Sequence, residues 1–190
     1  MKHIKSFSFG IFFLASFGLC SCVDESTKGI EKEPYFDLKG FIEEKIQEID
    51  SVEVSKVSQV QEEEKQATVI YTTKDWEEEF GIFTEADINN SSSLQSYETT
   101  SSDSTLAHEL YPNSEGKVKY IKVTYFEDEV SSVSIKIADD NLFYSTTTLA
   151  EMYMNKATNL IDHYSIETTQ KIWFLDPNEM KIQGTIIPKY

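Results

Sequence analysis

Two histidines in the body of the chain, His108 and His163, are the side chains best suited to move a proton or hold a metal near neutral pH. His108 stands in Leu106-Ala107-His108-Glu109-Leu110, where strand alternation sets it beside Leu106 and Leu110. His163 stands in Ile161-Asp162-His163-Tyr164, on a separate predicted strand. Neither has a partner at metal-ligand spacing, and no serine lies in a nucleophile-elbow pattern. Ser91 to Ser93 and Ser101 to Ser104 therefore read as loops and turns. Asp139-Asp140-Asn141 and Asp176-Pro177-Asn178-Glu179 carry oxygen ligands, but they lack the spacing and glycine of a calcium loop and suit hairpin turns. With 7 glycines and no glycine-rich loop, the chain has no phosphate cradle. The expectation is a non-enzymatic protein with no catalytic residue, metal site or cofactor. A hydrolase built on His108 or His163 ranks last.

The N-terminus carries a different kind of signal. Lys2 and Lys5 give a positive start, and an apolar run follows from Phe7 to Leu19, interrupted only by small residues such as Ser8 and Ser16. A basic start, a short apolar core and a small-residue end describe a secretory signal peptide, here residues 1–21. The run falls short of the roughly 20 residues that span a bilayer as a helix.

The end of that leader, Leu19-Cys20-Ser21-Cys22, resembles a bacterial lipobox: Leu at minus three, a small residue at minus one, then Cys. The resemblance to bacterial lipoproteins implies that Cys22 is the lipidated residue, thioether-linked to a diacylglycerol at the mature N-terminus. Choosing Cys20 instead would put the bulky Leu19 at minus one. Val23, Asp24, Glu25 and Ser26 follow, and acidic residues directly after the Cys resemble a surface-export signal of Bacteroidota lipoproteins. The implied location is the cell envelope, anchored by lipid in the outer membrane on its periplasmic or surface face. Both cysteines lie at this processing site, so the mature fold is expected to hold no disulfide and no thiol chemistry.

Composition narrows the partners. Loss of Lys2 and Lys5 with the leader leaves 15 lysines against 33 acids, a net charge of −18, and the chain contains no arginine. Such a surface repels phosphate backbones, so no nucleic-acid partner is expected. It also disfavours electrostatic adhesion to anionic lipid headgroups, leaving membrane attachment to the lipid on Cys22.

The elements follow from periodicity. Residues 22–33 are polar and read as a lipidated tether, and 34–190 read as one domain. Leu38, Phe41, Ile42, Ile46 and Ile49 recur at three- and four-residue steps, predicting an amphipathic helix from Tyr35 to Ile49. Trp76, Phe80 and Phe83 predict a second, from Asp75 to Ile88, with Asp75 and Glu78 as a capping box. Alternating stretches begin at Val52 and Ala67. From Leu94 onward, short alternating segments near 94–100, 105–111, 117–126, 130–138, 142–154, 160–175 and 180–187 are punctuated by turn clusters. Trp173 and Leu175 are expected on one strand face, with Ile172 and Phe174 on the other. The expected class is α+β: two N-terminal helices packed on a large antiparallel meander sheet of about seven to nine strands, able to curl into a half-barrel.

That architecture is loosely similar to periplasmic lipid and lipoprotein carriers, which implies a carrier or chaperone that binds an apolar small molecule on the concave face. The alternative is an accessory subunit of an outer-membrane protein complex, which needs an exposed apolar patch or an open strand edge, such as the 51–72 hairpin. The many aromatics, among them Tyr35, Trp76, Tyr97, Tyr164 and Trp173, serve either a pocket or ordinary packing.

Overall fold

A computed structural model describes residues 34–187. Cys22, the signal peptide and the tether lie outside the described residues. Three helices, α1 (Leu38–Glu48), α2 (Thr73–Glu79) and α3 (Gly81–Glu85), accompany nine strands: β1 (Val52–Val60), β2 (Glu63–Tyr71), β3 (Tyr97–Ser102), β4 (Thr105–Leu110), β5 (Val118–Phe126), β6 (Glu129–Asp140), β7 (Tyr144–Met154), β8 (Ile161–Ile172) and β9 (Asn178–Ile187).

All nine strands form one antiparallel sheet in the order β2-β1-β9-β8-β7-β6-β5-β4-β3. Strands β3 to β9 are a meander, and the β1–β2 hairpin joins it by pairing β1 along β9, from Glu53 opposite Ile187 to Val60 opposite Met180. The sheet is not closed into a barrel, since β2 and β3 form its two edges. This order sets the task of the helices. The chain leaves the sheet at one edge, β2, and re-enters at the other, β3, so α2, α3 and residues 86–96 must carry it across.

Register defines the buried face. Gly184, Tyr164, Met152, Val133, Val123 and Leu106 lie side by side on successive strands. The next row holds Ile182, Ile166, Ala150, Ile135, Ile121 and His108. Because side chains alternate with period two, this apolar set faces one way, and Lys122, Ser134, Glu151 and Ser165 face the other. Leu38, Ile42, Ile46 and Ile49 of the α1 region, with Trp76, Phe80 and Phe83, complete the same core. The ring of Trp76 stacks on Phe80 at 5.1 Å and meets Tyr164 edge-on at 6.2 Å.

Local signals explain the element ends. The Asp37 carboxylate accepts from the Gly40 N–H at 2.7 Å and caps α1. The predicted second helix is divided: α2 ends at Phe80 (φ −95°, ψ 8°), and α3 begins at Gly81. Its capping box is Thr72 with Asp75, so Asp75 sits three residues inside the helix rather than at its cap. Glu127 and Asp128 both have positive φ (51° and 66°), the two-residue geometry that matches strand twist between β5 and β6.

Two strand expectations need correction. The 160–175 segment is shorter than expected, running unbroken from Ile161 to Ile172, and the Thr148 and Thr168 hydroxyls meet across β7 and β8 at 3.0 Å. Trp173, Phe174 and Leu175 do not continue β8 as strand residues with alternating faces. They form an exposed hairpin tip.

Candidate functional site at the hairpin tips

The histidines do not come together. His108 lies on the buried face of β4 and His163 on the opposite face of β8, with β5, β6 and β7 between them. The Nε2 of His108 accepts from the Phe36 N–H at 3.1 Å, and its Nδ1 lies 2.9 Å from the Thr99 hydroxyl. Burial pulls its pKa below the ordinary 6.5. The ring thus serves as a neutral peg holding the segment before α1 to the sheet. His163 stacks on Tyr153 with ring centroids 4.6 Å apart, and its Nδ1 lies 2.8 Å from the Asp162 carboxylate. The hydrogen bond from His163 chiefly lowers the Asp162 pKa. Among the described residues, no group of three or more histidines and acids is placed to hold a metal ion.

The most concentrated polar chemistry lies beneath α2. Glu79 Oε2 accepts from Lys56 Nζ at 2.7 Å, and Oε1 accepts from the Tyr164 hydroxyl at 2.8 Å. Lys56 also donates to the Tyr71 hydroxyl at 3.0 Å. Burial pulls the Lys56 ammonium down, but bonds to Glu79 and Tyr71 outweigh it, so the net shift is upward. Burial first, then the Glu79 charge, pushes the Tyr164 phenol up. Each member is bonded to another, and the aromatic core packs against them. The arrangement is a clamp between α2 and strands β1, β2 and β8.

The feature that solvent meets is apolar. The β6–β7 tip presents Leu142, Phe143 and Tyr144; the β8–β9 tip presents Trp173, Phe174 and Leu175. Leu142 is 88 % exposed, Trp173 72 %, and Phe143 and Phe174 69 % each. The backbone holds these tips in place. Asn141 Oδ1 accepts from the N–H groups of Phe143 (2.9 Å) and Tyr144 (3.1 Å), the side-chain turn that Asn favours. The Trp173 N–H donates to the Phe143 carbonyl at 3.0 Å, locking one tip to the other. A groove of about 310 Å³ runs between them, bordered by Asn141, Lys171 and Trp173. An ion pair, Lys117 with Asp139 at 2.8 Å, and the Tyr144 hydroxyl on the same carboxylate at 3.3 Å, brace its flank.

The chain matches no family model, no curated protein and no solved structure. Its functional reading therefore rests on this geometry and on the sequence.

The open edge expected on the 51–72 hairpin is present, since β2 is an edge strand. Glu63, Glu64 and Lys65 line its start, the charged type of edge that resists pairing with another chain. Further along that hairpin Val60 and Ile70 are exposed singly, whereas the larger apolar cluster lies on two other hairpins whose tip residues resemble strand residues. The available signal was position: each run abuts a turn cluster, Asp139-Asp140-Asn141 or Asp176-Pro177, and the two turns are neighbours in a meander.

Proposed function

We propose that this chain is a lipid-anchored protein of the cell envelope, attached through Cys22 in the outer membrane, that performs no covalent chemistry and works by apolar contact. The observation that carries this reading is the pair of ordered hairpin tips holding six apolar side chains in solvent. Monomeric soluble domains seldom expose such a cluster without using it. A lone exposed leucine would mean nothing; an ordered aromatic group on two interlocked turns carries a continuing solvation cost.

An enclosed-ligand carrier is the weaker reading. It needs room between helices and sheet, and there Trp76, Phe80, Phe83 and Tyr164 pack against one another. The finer architecture, a half-barrel curled around two helices, is part of this proposal. It is supported by one buried, mostly apolar face running from Val54 on β1 to His108 on β4.

The test is a photocrosslinking amino acid in place of Phe174, compared with one in place of Thr68 on the charged edge strand, in native envelope membranes. The expected result is efficient crosslinking from position 174 and little from 68. Equal or absent crosslinking would remove the tips from the functional account.

A further inference from the structure

The tips and the point where the lipid tether would enter the fold lie at the same end of the sheet. Tyr35 opens the described domain. Its hydroxyl donates to the Ser93 carbonyl at 3.2 Å and accepts from the Gln95 N–H at 3.1 Å, and its ring meets Tyr97 at 5.7 Å. Tyr97 is the first residue of β3, opposite Leu110, the last of β4. Its hydroxyl donates to the carbonyl of Val118, the first residue of β5, at 2.9 Å. Lys117 then pairs with Asp139, and Asp139 with the Tyr144 hydroxyl at the base of the first tip. A continuous set of contacts thus joins the domain's entry to the apolar tips.

The tips are also the leading points of that end. Val118 pairs with Ile137, and β6 continues to Asp140 before turning. Three residues at about 3.3 Å each carry the tip roughly 10 Å past the start of β5. Only residues 23–33 separate Cys22 from Pro34. Fully extended, such a link reaches on the order of 40 Å, and a relaxed one reaches less. A lipid on Cys22 would therefore keep this end of the domain near the bilayer surface.

We infer that the apolar tips dock the domain end-on against the lipid bilayer that holds its own anchor, with Phe143, Trp173 and Phe174 seated among the headgroups. This rests on the lipid-anchor reading and names the partner of the contact surface. Aromatic side chains favour the headgroup region, where an apolar body and a polar edge are both satisfied. The acidic surface, including Asp140 and Asp176 beside the tips, commits the contact to net-neutral headgroups. Tethering supplies the high local concentration that a small apolar contact needs.

The probe is the mature, lipidated chain in phosphatidylcholine vesicles carrying brominated acyl chains. The chain has two tryptophans, the buried Trp76 and the exposed Trp173, so emission reports the tip against an internal reference. The inference expects a blue shift and loss of the Trp173 emission, and no quenching in a W173F variant, where Trp76 alone emits. It expects a double F143S/F174S variant to stay on the vesicles through its lipid while Trp173 regains its solvent-exposed emission. Unquenched Trp173 on vesicle-bound chain would overturn the docking and leave the tips to a protein partner. Persistent quenching in the double variant would overturn it too, because tether proximity alone would then suffice. Mass measurement of the mature N-terminus is read separately. An unlipidated Cys22 would sink the anchor reading, and the docking with it.

Discussion

Gly184 stands directly opposite Tyr164 across the β8–β9 pair, and the Tyr164 ring occupies the space that a side chain on Gly184 would need. From there the Tyr164 hydroxyl reaches the Glu79 carboxylate at 2.8 Å. A glycine in a central strand ordinarily weakens it, and here an aromatic neighbour covers the gap. The pair connects sheet to helix: without the glycine, the tyrosine could not lie flat and hold α2.

Gly184→Ala is therefore expected to destabilise the fold by about 2–4 kcal/mol, through overpacking and loss of the Glu79 bond. Urea denaturation measures it. The same substitution made with Tyr164→Ala is expected to cost much less, and additive effects would show that the two residues are not coupled.

The Lys56–Glu79 pair predicts a second asymmetry. Lys56 and Glu79 side chains are only 18 % and 10 % exposed. Glu79→Gln leaves the Lys56 ammonium without its charge partner, at a cost of about 3–5 kcal/mol. Replacing both, Lys56→Met with Glu79→Leu, is expected to be milder than Glu79→Gln alone. Equilibrium unfolding of the variants decides this.

Much of this was readable from sequence, for identifiable reasons. Val133, Ile135 and Ile137, like Ile121 and Val123, alternate cleanly because their strands bury one face, and the structure places them there. The α1 stripe is legible because Leu38, Ile42 and Ile46 repeat at helical spacing on a long enough segment. The break at Phe80 is not, because Trp76, Phe80 and Phe83 keep a common face across it. The β1–β9 pairing joins distant segments, and periodicity carries no information about such partners. The second tip resembles a strand in sequence because Trp173, Phe174 and Leu175 have strand propensity; only the register of β8 and β9 shows that they lie beyond the ladder.

His108 predicts a pH dependence. Its Nε2 must be unprotonated to accept from Phe36, and burial lowers its folded pKa below the ordinary 6.5. The unfolded chain thus binds this proton more readily, so stability is complete above about pH 6.5 and declines as pH falls through the window between the two values. Asp50, Asp75, Asp139 and Asp162, whose pKa values are also lowered, lose their contributions further down, from about 3.8. Unfolding midpoints at pH 7.5 and 5.5 are expected to fall for the native chain. They should fall less for His108→Gln, whose amide can still accept from Phe36. An equal fall would assign the effect elsewhere.

The tips should behave oppositely from the core. Phe143→Ser and Phe174→Ser are expected to change stability by no more than about 0.5 kcal/mol, since both side chains are already in solvent. A loss of several kcal/mol in thermal or urea unfolding would mean that the tips are structural.

The central claim, that the tips are covered in the envelope, can be read with one thiol. The chain has no cysteine after Cys22, so Phe174→Cys creates a unique reporter, and Thr68→Cys an exposed control on the edge strand β2. The measurement is their rate of reaction with a water-soluble maleimide in opened envelope membranes and again with the purified soluble domain. The account predicts that position 174 is protected in membranes and reactive in solution, while position 68 reacts alike in both. Equal reactivity of position 174 in the two settings would contradict it.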